Sequence, residues 1–361
     1  MSKFRTLLIL LAVTLAFGSL YGVAAPATAQ SASLITVMTS DTLGKYLAGE
    51  NGMTLYSFPP DGINESNCYD KCAEAWPPLI VDSADKITAD ASIPGTFGTA
   101  TRKDGKLQVS YNGMPLYYWA RDAKAGDTTG NRVGRNWWVV PPATVYAATN
   151  PKLGWVLAGS TGMTLYTFKK DTPDTSNCYD QCATNWPPLT VKSEADVVPG
   201  INLLGKLGTT TRKDGAIQLT YNGWPLYYWK DDKALGDANG EGVGDVWYSV
   251  PVETVGVASS ADMGDHLVSW DGMTLYTFAK DSAGMSACSG DCVKNWKPYT
   301  VRAIDRLAAG TGVMGKLGTI TREDDKSLQV TYNDMPLYFF AKDVKPGDAS
   351  GVSDVWPLAK P

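Results

Sequence analysis

At 361 residues, with 44% hydrophobic and 19% charged residues, the chain has ample apolar material for a core and length for two or three domains, which excludes a disordered coil. One histidine in the whole chain removes most Ser/His, Cys/His and multi-histidine metal sites, and with them ordinary hydrolytic chemistry. The net charge of −5, with no basic stripe, disfavours nucleic acid and anionic membranes as partners.

In chain order, the first element is a leader over residues 1–29. Lys3 and Arg5 precede an apolar run from Leu7 to Leu20, and Ala27-Thr28-Ala29 supplies a small-x-small cleavage pattern before Gln30. Gly18, Tyr21, Gly22 and Pro26 interrupt the run, so a removable signal peptide is expected, with no transmembrane segment after cleavage. No cysteine lies near the cut, and the mature chain is read as secreted or extracytoplasmic without a lipid.

After the leader the chain repeats itself. Cys68, Cys178 and Cys288 are spaced by 110 residues, as are Tyr56, Tyr166 and Tyr276 and also Trp76, Trp186 and Trp296. Three units follow, at 30–145, 146–255 and 256–361. Each unit holds a weaker internal echo, because GMTLYSFPPD from Gly52 recurs as GMPLYYWARD from Gly113. Six copies of one pattern result: Tyr56-x-Phe58-x-x-Asp61, Tyr117-x-Trp119-x-x-Asp122, Tyr166-x-Phe168-x-x-Asp171, Tyr227-x-Trp229-x-x-Asp232, Tyr276-x-Phe278-x-x-Asp281 and Tyr338-x-Phe340-x-x-Asp343.

With these motifs, the segments SNCYDKCAEAWPPL and SNCYDQCATNWPPL, and GDANGEGVGDVW near Asp237, the chain resembles the secreted-repeat proteins described as predicted lipoproteins with a Y-x-[FWY]-x-x-D motif. The likeness covers nearly all of the mature chain. It implies a bacterial envelope protein and a unit of about 110 residues able to fold alone, but hardly any mechanism. The chain departs from the family in lacking a lipobox cysteine and in having Trp296-Lys297-Pro298 where the other units have Trp-Pro-Pro.

Within a unit, runs such as Leu165-Tyr166-Thr167-Phe168, Gln218-Leu219-Thr220-Tyr221 and Leu226-Tyr227-Tyr228-Trp229 read as strands. Asn112-Gly113, Asn222-Gly223, Lys103-Asp104-Gly105 and Lys213-Asp214-Gly215 read as hairpin turns, because Asn-Gly and Asp-Gly accept positive φ. A short helix or turn is predicted from Asn67 to Ala75 and at its counterparts, closed by Pro77-Pro78. The fold class is all-β: three tandem antiparallel units of about six strands each, sandwich- or barrel-like, with a six-bladed propeller as the alternative. Short linkers predict that the units melt nearly independently. The third is expected to be weakest, because Asp334 replaces the turn glycine and the chain ends soon after Trp356.

The candidate chemistry sits in few places. Cys68/Cys72, Cys178/Cys182 and Cys288/Cys292 account for every cysteine. Residues i and i+4 of a helical turn lie about 6 Å apart, within disulfide reach, so each C-x-x-x-C is read as a local disulfide in an oxidising compartment. A redox-active dithiol or a copper or zinc site is the sharper alternative. The motif aromatics and aspartates are read as core and turn caps, with a platform for sugar rings or a Tyr/Trp electron relay as functional versions. Met53, Met163 and Met273 are read as core, and His266, alone of its kind, as inert.

Asp232, Asp237, Asn239, Glu241 and Asp245 form an acidic, glycine-spaced turn that is a weak calcium candidate. No cofactor is predicted. Calcium, copper or haem would be the exceptions, although no C-x-x-C-H attachment motif is present. The reading is a secreted cell-envelope repeat protein, not an enzyme, acting as a binding or structural module toward an envelope protein or wall polymer. The alternative is extracytoplasmic electron transfer through the C-x-x-x-C pairs or the Tyr/Trp residues. If aromatic binding occurs outside the motif, Tyr69, Tyr179, Trp138 and Tyr248 are the rings available.

Overall fold

The computed structural model describes residues 33–361 apart from 201, 202 and 304. The leader expected over 1–29 lies outside the described residues.

Each repeat opens with an antiparallel hairpin: Thr36–Ser40 on Gly44–Ala48, Val145–Asn150 on Gly154–Gly159, and Val255–Ser260 on Gly264–Ser269. A four-stranded sheet follows, in which Leu107–Tyr111 pairs with Ile80–Val81 and Met114–Pro115 along one edge and with Phe97–Thr101 along the other. The motif strand Tyr56–Ser57 pairs with Trp138–Val139 near the end of its repeat. The second and third repeats carry the same four-stranded sheet.

Side-chain alternation divides these strands between two cores. In the pairs Leu55-Tyr56, Leu116-Tyr117 and Val140-Val139, the first residue enters an aliphatic cluster with Ile35, Leu47, Leu79 and Val109, and the second enters an aromatic cluster with Trp76, Trp119 and Trp137. Neighbouring residues of a strand point to opposite faces, so each Leu-Tyr dipeptide fills both. The other repeats do the same.

The turns follow the glycines. Asn112 and Gly113, and Asn222 and Gly223, have φ of 50° and 81°, and 50° and 82°, the signature of a two-residue type I′ hairpin. The Asp-Gly turns are longer than two residues. The strands stop at Thr101 and resume at Leu107, Gly105 alone takes positive φ, and Arg102 N–H donates to the Lys106 carbonyl.

Four other expectations are corrected. The repeats hold 24 short strands among the described residues, eight per repeat in place of six. The sheets are six of two strands and three of four strands, so six equal propeller blades are absent among the described residues. The cysteine helices are Lys71–Ala75, Gln181–Asn185 and Cys292–Asn295. The first two begin after Asn67 and Asn177 because Asp70 and Asp180 take φ of 50° and 52°, which no helix accommodates. The Leu226–Trp229 segment forms only isolated bridges at Tyr227, to Tyr166 and Pro188.

Residues Ser33–Pro361 form one compact unit. The cause is a set of contacts across repeats. Asp271 of the third repeat is buried and takes a bidentate pair from Arg135 of the first, with Nη2–Oδ1 at 2.6 Å and Nε–Oδ2 at 2.9 Å. Trp270 packs between Trp138 and Trp155, with centroids at 5.5 and 5.9 Å. Arg306 of the third repeat pairs with Glu241 of the second at 3.0 Å. No helix among the described residues is long and apolar enough to cross a membrane.

Candidate functional site

The six motif copies meet in pairs, one pair per repeat. Tyr56 and Tyr117 exchange backbone hydrogen bonds of 2.8 and 2.9 Å, which places the two half-repeats in antiparallel contact. Their hydroxyls then cross over: Tyr56 donates to Asp122 at 2.6 Å, and Tyr117 to Asp61 at 2.7 Å. Tyr166 to Asp232 and Tyr227 to Asp171 repeat the exchange at 2.7 and 2.8 Å, and Tyr276 to Asp343 and Tyr338 to Asp281 at 2.5 and 2.7 Å. Each half-repeat supplies the tyrosine that satisfies the other half's aspartate, and all six tyrosines are fully buried.

The second carboxylate oxygen of each aspartate caps a loop. Asp61 Oδ1 accepts from Asn67 N–H at 2.7 Å, and Asp122 Oδ1 from Thr129 N–H at 3.0 Å. Burial drives the titration of these groups. It pushes the Asp61 carboxyl up to about 7 against the downward pull of Asn67 N–H, Tyr117 and Arg102. Burial likewise raises Asp171, Asp281 and Asp232 above the usual carboxylate range. All six tyrosine hydroxyls are held well above their ordinary value, first by burial.

The second motif aromatic joins a stack of four rings. Phe58, Trp137, Trp76 and Trp119 lie in that order with centroids 4.4, 3.8 and 4.0 Å apart. Phe168, Trp247, Trp186 and Trp229 follow suit at 4.2, 3.9 and 4.2 Å, and Phe278, Trp356, Trp296 and Phe340 at 4.1, 3.9 and 4.6 Å. Beside each stack lies a disulfide, Cys68–Cys72, Cys178–Cys182 or Cys288–Cys292, with Cα atoms 5.3, 5.2 and 5.4 Å apart. The first sulfur of each pair is buried.

A family model described as a secreted repeat of unknown function (Lipoprotein_15) matches residues 37–80, 98–141, 147–190, 208–250, 257–300 and 318–360. The chain belongs to this family. The six matches are the six half-repeats, and the crossed tyrosine–aspartate bonds explain why they occur in pairs. No curated protein and no solved structure matches the chain. The protein is secreted, and its disulfides suit an extracytoplasmic place.

A buried arginine is the feature that sequence reasoning missed in this secreted-repeat protein. Arg102 Nη1 donates to Gln108 at 2.6 Å and Ser66 at 2.9 Å, and its Nη2 to the Cys68 carbonyl at 2.8 Å. Ser66 in turn lies 2.8 Å from the Tyr117 hydroxyl. Arg212 and Arg322 repeat this set through Ser176 and Ser286. The signal was present, since Arg102 and Arg212 keep the 110-residue step. Each of these two arginines immediately precedes a Lys-Asp-Gly turn segment, whose turn chemistry masks it.

The acidic turn does not gather a cation. Asp232 serves Tyr166 and Asn239, and Asp237 Oδ2 caps Lys233 and Ala234 N–H at 2.8 Å each. Glu241 is paired with Arg306 and Ser249. Among the described residues no group of three or more His, Cys, Asp or Glu side chains that could hold a metal ion is present. Asp127, Asp237 and Asp348 all cap the same turn, and the amides that Asp237 accepts hold its carboxyl below the usual range. A Cβ on Gly240 would lie 2.8 Å from both the Trp186 and Tyr166 rings, and its N–H reaches the Tyr166 hydroxyl at 3.2 Å. The shared Gly-Asp-x-x-Gly is therefore a turn that lets backbone approach the aromatic stack.

The rings outside the motif are mostly engaged. Arg102 and Lys103 cover Tyr69 at 4.5 and 4.4 Å, and Arg212 and Lys213 cover Tyr179 at 4.5 and 5.1 Å. Lys169 lies 4.3 Å over Tyr248. Trp138 is buried at the contact between repeats, and His266 is buried with Nδ1 3.0 Å from the Gly264 carbonyl. Met273 is core, as expected, while Met53 and Met163 are half-buried.

Proposed function

We propose that this secreted-repeat protein is a binding or structural module of the cell envelope and not an enzyme, engaging an envelope protein or wall polymer. The observation that carries this reading is mutual satisfaction. The repeated carboxylates and tyrosines that could do chemistry are hydrogen-bonded to one another, and the arginines to Gln, Ser and Cys carbonyl partners, inside each repeat, and a group so held serves rigidity. The test is to purify the exported protein from its native envelope after crosslinking and to identify what accompanies it. A recurrent neighbour or wall fragment supports the reading, and recovery as a free protein with substrate turnover overturns it.

One observation favours a second reading, extracytoplasmic electron transfer. Each disulfide adjoins a stack of four rings that touches a tyrosine hydrogen-bonded to a carboxylate. Voltammetry of the purified protein distinguishes the two. A reversible couple at modest potential supports electron transfer, and a silent trace between the limits of water supports the binding module.

A further inference from the structure

The two junctions between successive repeats use the same positions and end differently. At the first, the Tyr146 ring of the second repeat is buried with Ala143 and Met114 of the first packed against it. One repeat on, Gly256 stands for Tyr146, Trp224 for Met114, Glu253 for Ala143 and Lys169 for Pro59. No ring closes this second junction, where Leu204 lies over Gly256, 2.9 Å from where a Cβ would stand. An open cleft of about 330 Å³ remains, walled by Trp224, Glu253 and Lys169 of the second repeat and by Ala308 and Ala309 of the third.

The wall combines an aromatic face with groups of both signs. Trp224 leaves 37% of its surface exposed beside the cleft, whereas its counterpart Met114 is half-buried. Glu253 is buried and accepts from the Tyr221 hydroxyl and from Asn222 Nδ2, the latter at 3.0 Å. Both of those partners are neutral, and a carboxylate offers about four acceptor positions, so Glu253 has acceptor capacity left. Lys169 is exposed, with its ammonium 4.3 Å from the Tyr248 ring. One carboxylate and one ammonium leave the wall without net charge and give it both an acceptor and a donor.

We propose that this cleft binds a neutral pyranose unit of an envelope glycan. A pyranose ring has a C–H face that packs on an indole and a rim of hydroxyls that both donate and accept, and the wall offers a partner to each. An organic ion is disfavoured, because it meets a like charge on this wall whichever sign it carries. The volume falls within the range of about 300–1,000 Å³ usual for small-molecule clefts. The site deepens the binding-module reading by naming a ligand class, and it rests on that reading.

The test titrates the mature chain with glucose and N-acetylglucosamine as neutral probes and with glucosamine and glucuronate as charged ones, followed by tryptophan fluorescence and calorimetry. At least one neutral sugar is expected to bind saturably and at least about tenfold tighter than either charged sugar. Trp224→Met, which restores the residue of the first repeat, should weaken that sugar about tenfold while the melting temperature holds, because the ring is exposed. Ala309→Phe, which adds bulk on the exposed far wall, should abolish binding and serves if Trp224→Met fails to fold. Retention on purified wall glycan that Trp224→Met loses places the sugar in the wall. Saturable binding of the free sugar without such retention places it in another envelope glycan, and either result supports the site. No saturable binding of a neutral sugar, equal or tighter binding of a charged one, or an unchanged Trp224→Met variant would overturn the proposal. An envelope neighbour recovered by crosslinking would stand in any of those cases, so the two failures are distinguishable.

Discussion

The Tyr227 hydroxyl lies 2.8 Å from both Asp171 Oδ2 and Ser176 Oγ, and Ser176 receives Arg212. Removing that one oxygen leaves a buried carboxylate and a serine short of a partner, and a buried group so stranded costs about 1–3 kcal/mol. Tyr227→Phe should therefore lower stability by about that amount in urea unfolding, although the ring still packs. A loss below about 0.5 kcal/mol would mean that the crossed pair is ornamental. The raised carboxyl of Asp61 makes a pH prediction. Between its ordinary value near 4 and about 7, the folded state holds a proton that the unfolded state has released, so stability falls as pH rises through that window. Asp171, Asp232 and Asp281 act in the same direction. The urea midpoint should be higher at pH 4.5 than at pH 7.5, and Asp61→Asn should flatten the slope. An equal slope in the variant would refute the assignment to Asp61.

At the scale of the element, the third repeat departs from its siblings where the sequence departs. Asn333 and Asp334 hold φ of 49° and 64° in the turn where the other repeats use Asn-Gly. A side chain in the left-handed region is strained where glycine is not. Asp334→Gly should stabilise the protein by about 1 kcal/mol, read as a rise in melting temperature. A neutral or destabilising result would show that Asp334 makes a compensating contact. The motif strand of this repeat also loses its strand partner, since Tyr276 meets Leu358 only as an isolated bridge, yet Trp356 still completes the ring stack. Much of this was legible beforehand, because Asn-Gly fixes a turn and Leu-Tyr alternation fixes two faces through local stereochemistry. The crossed hydrogen bonds were not, since period and spacing reveal that Tyr and Asp recur but not which half satisfies which. The helix start is hidden as well, because Asp70 holds a positive φ of 50° with ψ of −126°, which nothing in its neighbours announces.

For the whole molecule, two classes of position divide the labour. Positions that recur every 110 residues build the interior of a repeat, whereas Arg135, Asp271, Trp270, Arg306 and Glu241 differ from their counterparts and join the repeats. A reading by periodicity discards such residues as noise, which is why the interfaces were invisible in the sequence and near-independent units were expected. Asp271 is buried, and removing Arg135 leaves it only Arg132, 3.7 Å away, and the Ser269 hydroxyl, a loss of up to about 3 kcal/mol when the site cannot readmit water. The most direct test of this division is calorimetric unfolding of the mature protein beside Arg135→Ala. The account predicts one cooperative transition for the wild type, with calorimetric and van't Hoff enthalpies in agreement, and separation of the third repeat's melting in the variant. Three resolved transitions in the wild type, unmoved by Arg135→Ala, would contradict it.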